Sequence, residues 1–298
     1  MLLVTGIEFG VNVHAIPSEQ DFAQLVGRAD ELGYDVFAAP DHLGGLSPFL
    51  ALIVAGSISG RLRLRTYVLN TGFWNAALLA RDVATLDLLS GGRAELGLGA
   101  GHMKAEHDDA GLPWAPLEQR VQGLERLLME VKRRLADQEH QPRPVQQTVP
   151  VMVGAMSGLG LAVAARHADI VGFAGLRQAP GAPVGTFTLS SAAETRERVN
   201  QVRGQANGRS YRSDVLLQAV VIGDPAASAS QIAASTPGLT VEQLLDTPFV
   251  LLAHNAGAAA DELRRRQQIY GFDSVTTHQP NLEALGEVIC AYRTGDND

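Results

Sequence analysis

Two histidines, each following a short apolar run, are the side chains best placed to move a proton. Val36-Phe37-Ala38-Ala39 empties into Pro40-Asp41-His42, and Leu96-Gly97-Leu98-Gly99 empties into Ala100-Gly101-His102. Imidazole titrates near neutral pH, so either ring can hold or release a proton while another group moves a hydride. Neighbouring strand residues point to opposite faces, so Asp41 is not expected to orient His42 unless the chain bends there. An Asp-His pair could equally stabilise a loop. A third constellation, Gly154-Ala155-Met156-Ser157-Gly158, joins an apolar run to a helical pattern. Ser157 can cap that helix, and the free N–H groups beside it attract an anion by about 0.3–1 kcal/mol. The plain alternative is an ordinary capped turn. The glycines at 97, 99 and 101 are expected to let backbone N–H groups approach a flat or anionic ligand.

Other chemistries fit less well. His102, Glu106, His107, Asp108 and Asp109 cluster in sequence, but their spacing matches no standard zinc or iron set, so a solvated polar loop is expected over 102–114, with no metal. No Gly-x-Ser-x-Gly elbow is present, which argues against a serine hydrolase. A dinucleotide fingerprint begun at Gly97 fails, because its last glycine would fall on His102.

These candidates need a scaffold. Short apolar runs at 7–13, 36–39, 64–69, 94–99, 149–154, 170–173, 215–222 and 272–276 alternate with helical patterns. Ser18, Ser191 with Glu194, and Thr240 with Gln243 mark helix starts. In the helix before Ser90-Gly91-Gly92, Val83, Leu86 and Leu89 are expected on the buried face. Eight strand–helix units without an internal linker point to an α/β chain folded as one (β/α)8 TIM barrel domain over 1–298; a doubly wound sheet is the runner-up. In a barrel the site lies at the C-terminal ends of the strands. That rule selects Asp41 and His42, then Thr66, Tyr67 and Asn70, then Gly99, Ala100, Gly101 and His102, then Gly154, Ala155, Met156, Ser157 and Gly158. The segment 174–191, rich in Gly and Pro, interrupts the rhythm and reads as a lid or a disordered excursion.

Composition bounds the function. The 298 residues are 46% hydrophobic, enough for a large core, and a net charge of −8 suggests no nucleic-acid face and argues against anionic membrane surfaces. The longest apolar run, about 49–58, is too short to span a bilayer. One cysteine cannot form an internal disulfide, and Cys290, beside Val288, Ile289 and Ala291, is expected to be buried. With no signal-peptide pattern at the start, a soluble cytoplasmic protein is expected.

The stretch LLARDVATLDLLSGGRAELGLGAG resembles the central signature of the luciferase-like flavin and deazaflavin oxidoreductases, the bacterial luciferase superfamily, and is most similar in pattern to its coenzyme F420 branch. ADELGYDVFAAPDH, PVMVGAMSGLGLAVAARHADIVG and ADELRRRQQIYGFDSV extend the resemblance in the same order. It implies the barrel, with an insertion after strand six, and hydride transfer between F420 and a small organic substrate. C=C or C=N reduction and alcohol oxidation are both compatible. It implies that Asp41-His42 contacts the deazaflavin, that 154–158 seats its phosphate, that a non-proline cis peptide lies within 66–70, and that the chain forms a homodimer. An FMN-dependent monooxygenase of the same fold, or a barrel that binds no cofactor, are the alternatives. The family often has more glycine and a basic residue after strand five, where this chain has Leu159 and Leu161; Arg177 could compensate. The sugar-phosphate dehydrogenases of the F420 branch carry Glu and Trp at places resembling His102 and Leu46 here. Sugar-phosphate oxidation is therefore not expected, and the proton donor stays open between His42 and His102.

Overall fold

The computed structural model describes residues 6–179, 181, 186–236 and 238–295. Residues 180 and 182–185 of the expected insertion lie outside the described residues.

The first half alternates as its apolar patterning dictates. In order come β1 (Glu8–Asn12), α1 (Glu19–Glu31), β2 (Val36–Ala39), α2 (Pro48–Ile58), β3 (Arg63–Thr66), β4 (Leu69–Asn70), α3 (Ala76–Ser90), β5 (Ala94–Gly99), α4 (Lys104–Asp109) and α5 (Leu117–Ala136). The second half holds β6 (Val151–Ala155), α6 (Gly158–His167), β7 (Ile170–Phe173), β8 (Leu176–Gln178), β9 (Phe187–Leu189), α7 (Ala192–Gln205) and β10 (Arg212–Leu217). It ends with β11 (Ala219–Ile222), α8 (Pro225–Ser235), α9 (Val241–Asp246), β12 (Val250–Ala253), α10 (Ala256–Tyr270), β13 (Ser274–His278) and α11 (Leu282–Thr294). Capping boxes start α7 at Ser191 with Glu194 and α9 at Thr240 with Gln243.

Parallel strands run β3-β2-β1-β13-β10-β7-β6-β5, and β5 returns to pair with β3, so the sheet closes into an eight-stranded barrel. Leu64 faces Ala94 while Leu69 faces Leu98, so the third barrel strand carries one residue more than its neighbour. This is a bulge, and the peptide bond Tyr67–Val68 within it is cis. The continuous strand expected over 64–69 is therefore two pieces, β3 and β4, with the cis bond inside the expected 66–70 window.

Local detail differs from the expectations or adds to them in four places. The apolar run 215–222 is two strands: β10 belongs to the barrel, and β11 leaves it to pair with β12. The backbone N–H of Gln218, between them, donates to the Phe249 carbonyl. The insertion after the sixth barrel strand contains an antiparallel β8–β9 pair. On α3, Leu89 is 66% exposed; the inward face is Leu79, Ala80, Val83, Leu86 and the carboxylate Asp87. Asp87 accepts from the backbone N–H groups of Ala94 and Gln146, so a charged residue, and not Leu89, completes the inward face. Cys290 lies on the outward side of α11 and is exposed.

Candidate active site

A cavity of about 1000 Å³ opens at the C-terminal ends of the barrel strands, within the size range of small-molecule sites. Of the sequence-predicted residues, Asp41, His42, Tyr67, Asn70, Gly99, Ala100, Gly101, His102, Gly154, Ala155, Met156 and Ser157 line it. Thr66 and Gly158 do not. The Thr66 hydroxyl donates to the Gly97 carbonyl and accepts from the Gly97 N–H beneath the floor. Gly158 is the first residue of α6.

Two of the glycines at 97, 99 and 101 have a packing role in the barrel wall. A Cβ at Gly97 would sit 1.9 Å from the Thr66 carbonyl oxygen, and one at Gly99 would sit 2.6 Å from Val68 Cγ2. Both contacts are impossible for a real side chain, so these two glycines make room for the bulged third strand. Val68 is thereby pressed up into the cavity wall.

The floor rests on a buried ion network. Arg65, fully buried, pairs with Glu95 at 2.6 Å and with Asp214 and Glu8 at 3.1 Å. Arg63 and Arg212 also reach Glu95. The Tyr67 hydroxyl donates to Asp214 at 2.5 Å, so Tyr67 offers the cavity its ring and not its hydroxyl. Burial and the Asp214 charge push that phenol well up.

Above the floor the histidines gather. His42 Nδ1 lies 2.8 Å from Glu106 Oε1, and its ring stands edge-on to that of His102 at 5.5 Å. His42 and Glu106 are 29% and 11% exposed in their side chains, so the pair is only partly screened by solvent. His42 Nε2 bonds no described residue. Burial, reinforced by the His42 charge, lowers the His102 imidazole and favours its neutral form. His14 packs against His42 at 5.7 Å. The Leu46 N–H donates to the His14 carbonyl, and Leu46 does not line the cavity.

Asp41 turns away from His42, as strand alternation implies. It accepts from the Asn70 N–H at 3.1 Å and from Trp74 Nε1 at 2.8 Å. Burial raises its carboxyl, although those two bonds oppose the shift. Asp41 therefore fixes the end of the third strand, and Glu106 is the partner of His42. The stretch expected as a solvated loop holds α4, which carries Glu106 to that position. His107 is buried, with Nε2 3.1 Å from Asn70 Nδ2 and Nδ1 3.1 Å from the Pro113 carbonyl. Among the described residues, no group of three or more His, Cys, Asp or Glu could hold a metal ion.

At the opposite side, Ser157 Oγ accepts from the Gly160 N–H and caps α6. Arg177 and Arg198 line the cavity with it. Arg177 lies 3.1 Å from Glu194, and Arg198 donates through Nη1 to Ser190 Oγ at 2.9 Å. Sequence reasoning missed Arg198, which lies inside α7, away from any strand end. It also missed Asn12 and His278, the last residues of β1 and β13, both of which line the cavity. The strand-end rule would have found them had those two strands been bounded correctly. Asn12 is 6% exposed, and its buried Oδ1 has no hydrogen-bond partner among the described residues. Such an acceptor suits a ligand donor.

Relatives of known activity share parts of this architecture. The chain is 36% identical over 110 residues to an F420-dependent glucose-6-phosphate dehydrogenase of Kribbella flavida, covering 34% of this chain and 33% of that protein. It spans 31–51% of the length of eight curated relatives that it matches. An F420-dependent secondary alcohol dehydrogenase, solved with an F420–acetone adduct, superposes with a TM-score of 0.75 at 15% identity over 97% of this chain and 99% of that one. A long-chain alkane monooxygenase superposes with a TM-score of 0.75 at 12% identity over 99% of this chain and 92% of that one. At those identities the two structures establish the shared fold. The family model described as luciferase-like monooxygenase matches residues 1–270, and the chain belongs to that family.

Proposed function

We propose that the chain is an F420-dependent oxidoreductase that transfers a hydride between the deazaflavin and a small organic substrate. The observation that carries this reading is the His42–Glu106 pair beside His102, in a cavity at the mouth of the barrel. The residues fit the cofactor. The cavity is large enough for a tricyclic ring with an anionic tail, and the orphaned Asn12 acceptor suits a ring or ribityl donor. Ser157 with the N-terminus of α6, Arg177 and Arg198 would hold the phosphate. When bound, the deazaflavin would supply the hydride acceptor or donor.

The chain's own residues would handle the proton. With Nδ1–H donated to Glu106, His42 presents Nε2 as an acceptor. It can take a hydroxyl proton during alcohol oxidation, and Glu106 then stabilises the imidazolium. In the reducing direction the same nitrogen returns the proton. His102, kept neutral by burial, favours neither a second cation nor repulsion against His42. The exposed row Leu50, Val54 and Ile58, four residues apart on α2, supports a homodimer.

The test is anaerobic. Oxidised F420 with the protein and a panel of small secondary alcohols, and reduced F420 with C=C and C=N acceptors, should change absorbance at the rate of turnover. Product formation only with FMN and oxygen would overturn the proposal in favour of a monooxygenase.

A further inference from the structure

Glu106 reaches His42 from α4, a helix of six residues whose N-cap, Met103, makes no side-chain capping bond. A helix that short has no stability of its own, so its place must come from contacts outside it. The Lys104–Asp108 pair is exposed and stays within the helix. The buried residue of α4 is His107, next to Glu106 in the chain.

His107 is held at both ring nitrogens. Nδ1 lies 3.1 Å from the Pro113 carbonyl, and Nε2 lies 3.1 Å from Asn70 Nδ2. A carbonyl can only accept, so Nδ1 carries the hydrogen. On the other side, the Gly72 backbone N–H donates to Asn70 Oδ1 at 3.1 Å, which turns the Asn70 amide nitrogen toward the ring. Nε2 must therefore accept. Backbone groups at both ends set the direction of this chain of bonds, from Gly72 through Asn70 and His107 to Pro113. The neutral Nδ1–H imidazole satisfies it, and the other tautomer and the imidazolium do not. The space is cut to fit. A Cβ on Gly72 would lie 2.6 Å from His107 Cε1, and one on Gly101 would lie 2.5 Å from Asn70 Oδ1. The Phe73 and Trp114 rings pack on the imidazole, with centroids at 5.1 and 4.9 Å.

These bonds close a ring through the site. Asp41 accepts from the Asn70 N–H, Asn70 donates to His107, and Glu106 faces His42. Asp41 and His42 are neighbours in the chain, as are Glu106 and His107. The Asn70–His107 bond is the link of that ring that ties α4 to the end of the third barrel strand.

We propose that His107, as the neutral Nδ1–H tautomer, is the positioning residue that holds Glu106 against His42. The inference deepens the proposed function and rests on it only for the effect on hydride transfer.

The test joins spectroscopy to kinetics. Long-range proton–nitrogen correlation spectra of the full-length protein, with isotope-labelled histidine, report each tautomer at about pH 8. His107, assigned by the loss of its signals in His107→Gln, should carry hydrogen on Nδ1 and none on Nε2. The reverse tautomer or an imidazolium would overturn the inference. His42, assigned in the same way with His42→Gln, should carry hydrogen on Nδ1, facing Glu106. His107→Phe keeps a ring against Phe73 and Trp114 but removes both hydrogen bonds. It should shift the His42 Nδ1–H signal and slow hydride transfer with F420 about 10-fold at unchanged KM. His107→Gln returns an amide oxygen near the lost Nε2 and should restore most of the rate. In a Glu106→Gln background, His107→Phe should cost little more, because the carboxylate that it positions is gone. Losses that add in the double variant, an unmoved His42 signal, or a Gln variant no better than the Phe variant would each overturn the inference. If His107→Phe does not fold, the parent's tautomer and the rate of His107→Gln decide. Failure of the F420 reading would show separately, as a parent without hydride transfer in which the His107 tautomer and its effect on His42 persist.

Discussion

Replacing Arg65 with Met should destabilise the protein severely, and the structure gives the size of the effect. Arg65 is fully buried and touches Glu95, Asp214 and Glu8 at 2.6, 3.1 and 3.1 Å. Three arginines (63, 65 and 212) face three carboxylates (8, 95 and 214), so the network is balanced in charge. Met fills much of the space but leaves an unmatched buried carboxylate. Breaking a buried pair in this way costs about 3–5 kcal/mol. At about 2.1 cal/mol/K per residue over 298 residues, that is a fall in Tm of about 5–8 °C. The pH dependence has a definite sign. Burial alone would raise the Glu95 carboxyl; Arg65, Arg63 and Arg212 outweigh it and hold it far below the usual carboxylate range. A carboxylate depressed in the folded state stabilises the fold above its unfolded value of 4.5 and loses that contribution as pH falls. Arg65→Met removes the largest opposing charge, so its acid unfolding should begin at higher pH than in the parent. Urea and thermal unfolding between pH 4 and 8 measure both effects. A loss below about 1 kcal/mol at pH 7, or an unshifted acid limb, would refute the reasoning.

Three further outcomes are expected. Glu106→Gln removes the charge facing His42 Nδ1 at 2.8 Å; hydride-transfer rate should fall about 10–100-fold while F420 affinity is kept, and an unchanged rate in stopped-flow would remove Glu106 from the proton path. Gly99→Ala drives a Cβ to 2.6 Å from Val68, so it should cost about 1–3 kcal/mol in chemical denaturation and weaken cofactor binding as Val68 is displaced; full stability with full binding would contradict the packing argument. His102 is held neutral in the fold chiefly by burial, so it stabilises above its usual value of 6.5 and costs stability as pH falls below it. The stability difference between the parent and His102→Gln should therefore shrink from pH 7 to pH 5, and a difference independent of pH in paired melts would exclude a shifted His102.

The barrel was legible because short strands such as Val36–Ala39 and Ile170–Phe173 are apolar runs that alternate with helical patterns. Caps such as Ser191 with Glu194 were readable from type and spacing alone. What escaped depends on contacts distant in sequence. Glu106 lies 64 residues from His42, on a six-residue polar helix too short to show a period. The break at Gln218 hides inside Val215–Ile222, because an apolar run reads the same whether its pieces pair in one sheet or two. Asp87 is buried because Gln146 and Ala94 supply donors, and nothing in its own helix signals that. The packing of the glycines at 97 and 99 against the bulged neighbour strand was not readable, because that register is set only on closure.

The most direct measurement is a parallel titration of the apoprotein with F420 and with FMN, followed by fluorescence quenching. F420 should bind tightly and FMN weakly, and Asn12→Ala should lose F420 affinity with an unchanged melting temperature. Tight FMN binding with weak F420 binding would contradict the F420 reading and point to an oxygen-using flavin enzyme, and binding of neither would point to a barrel without cofactor chemistry.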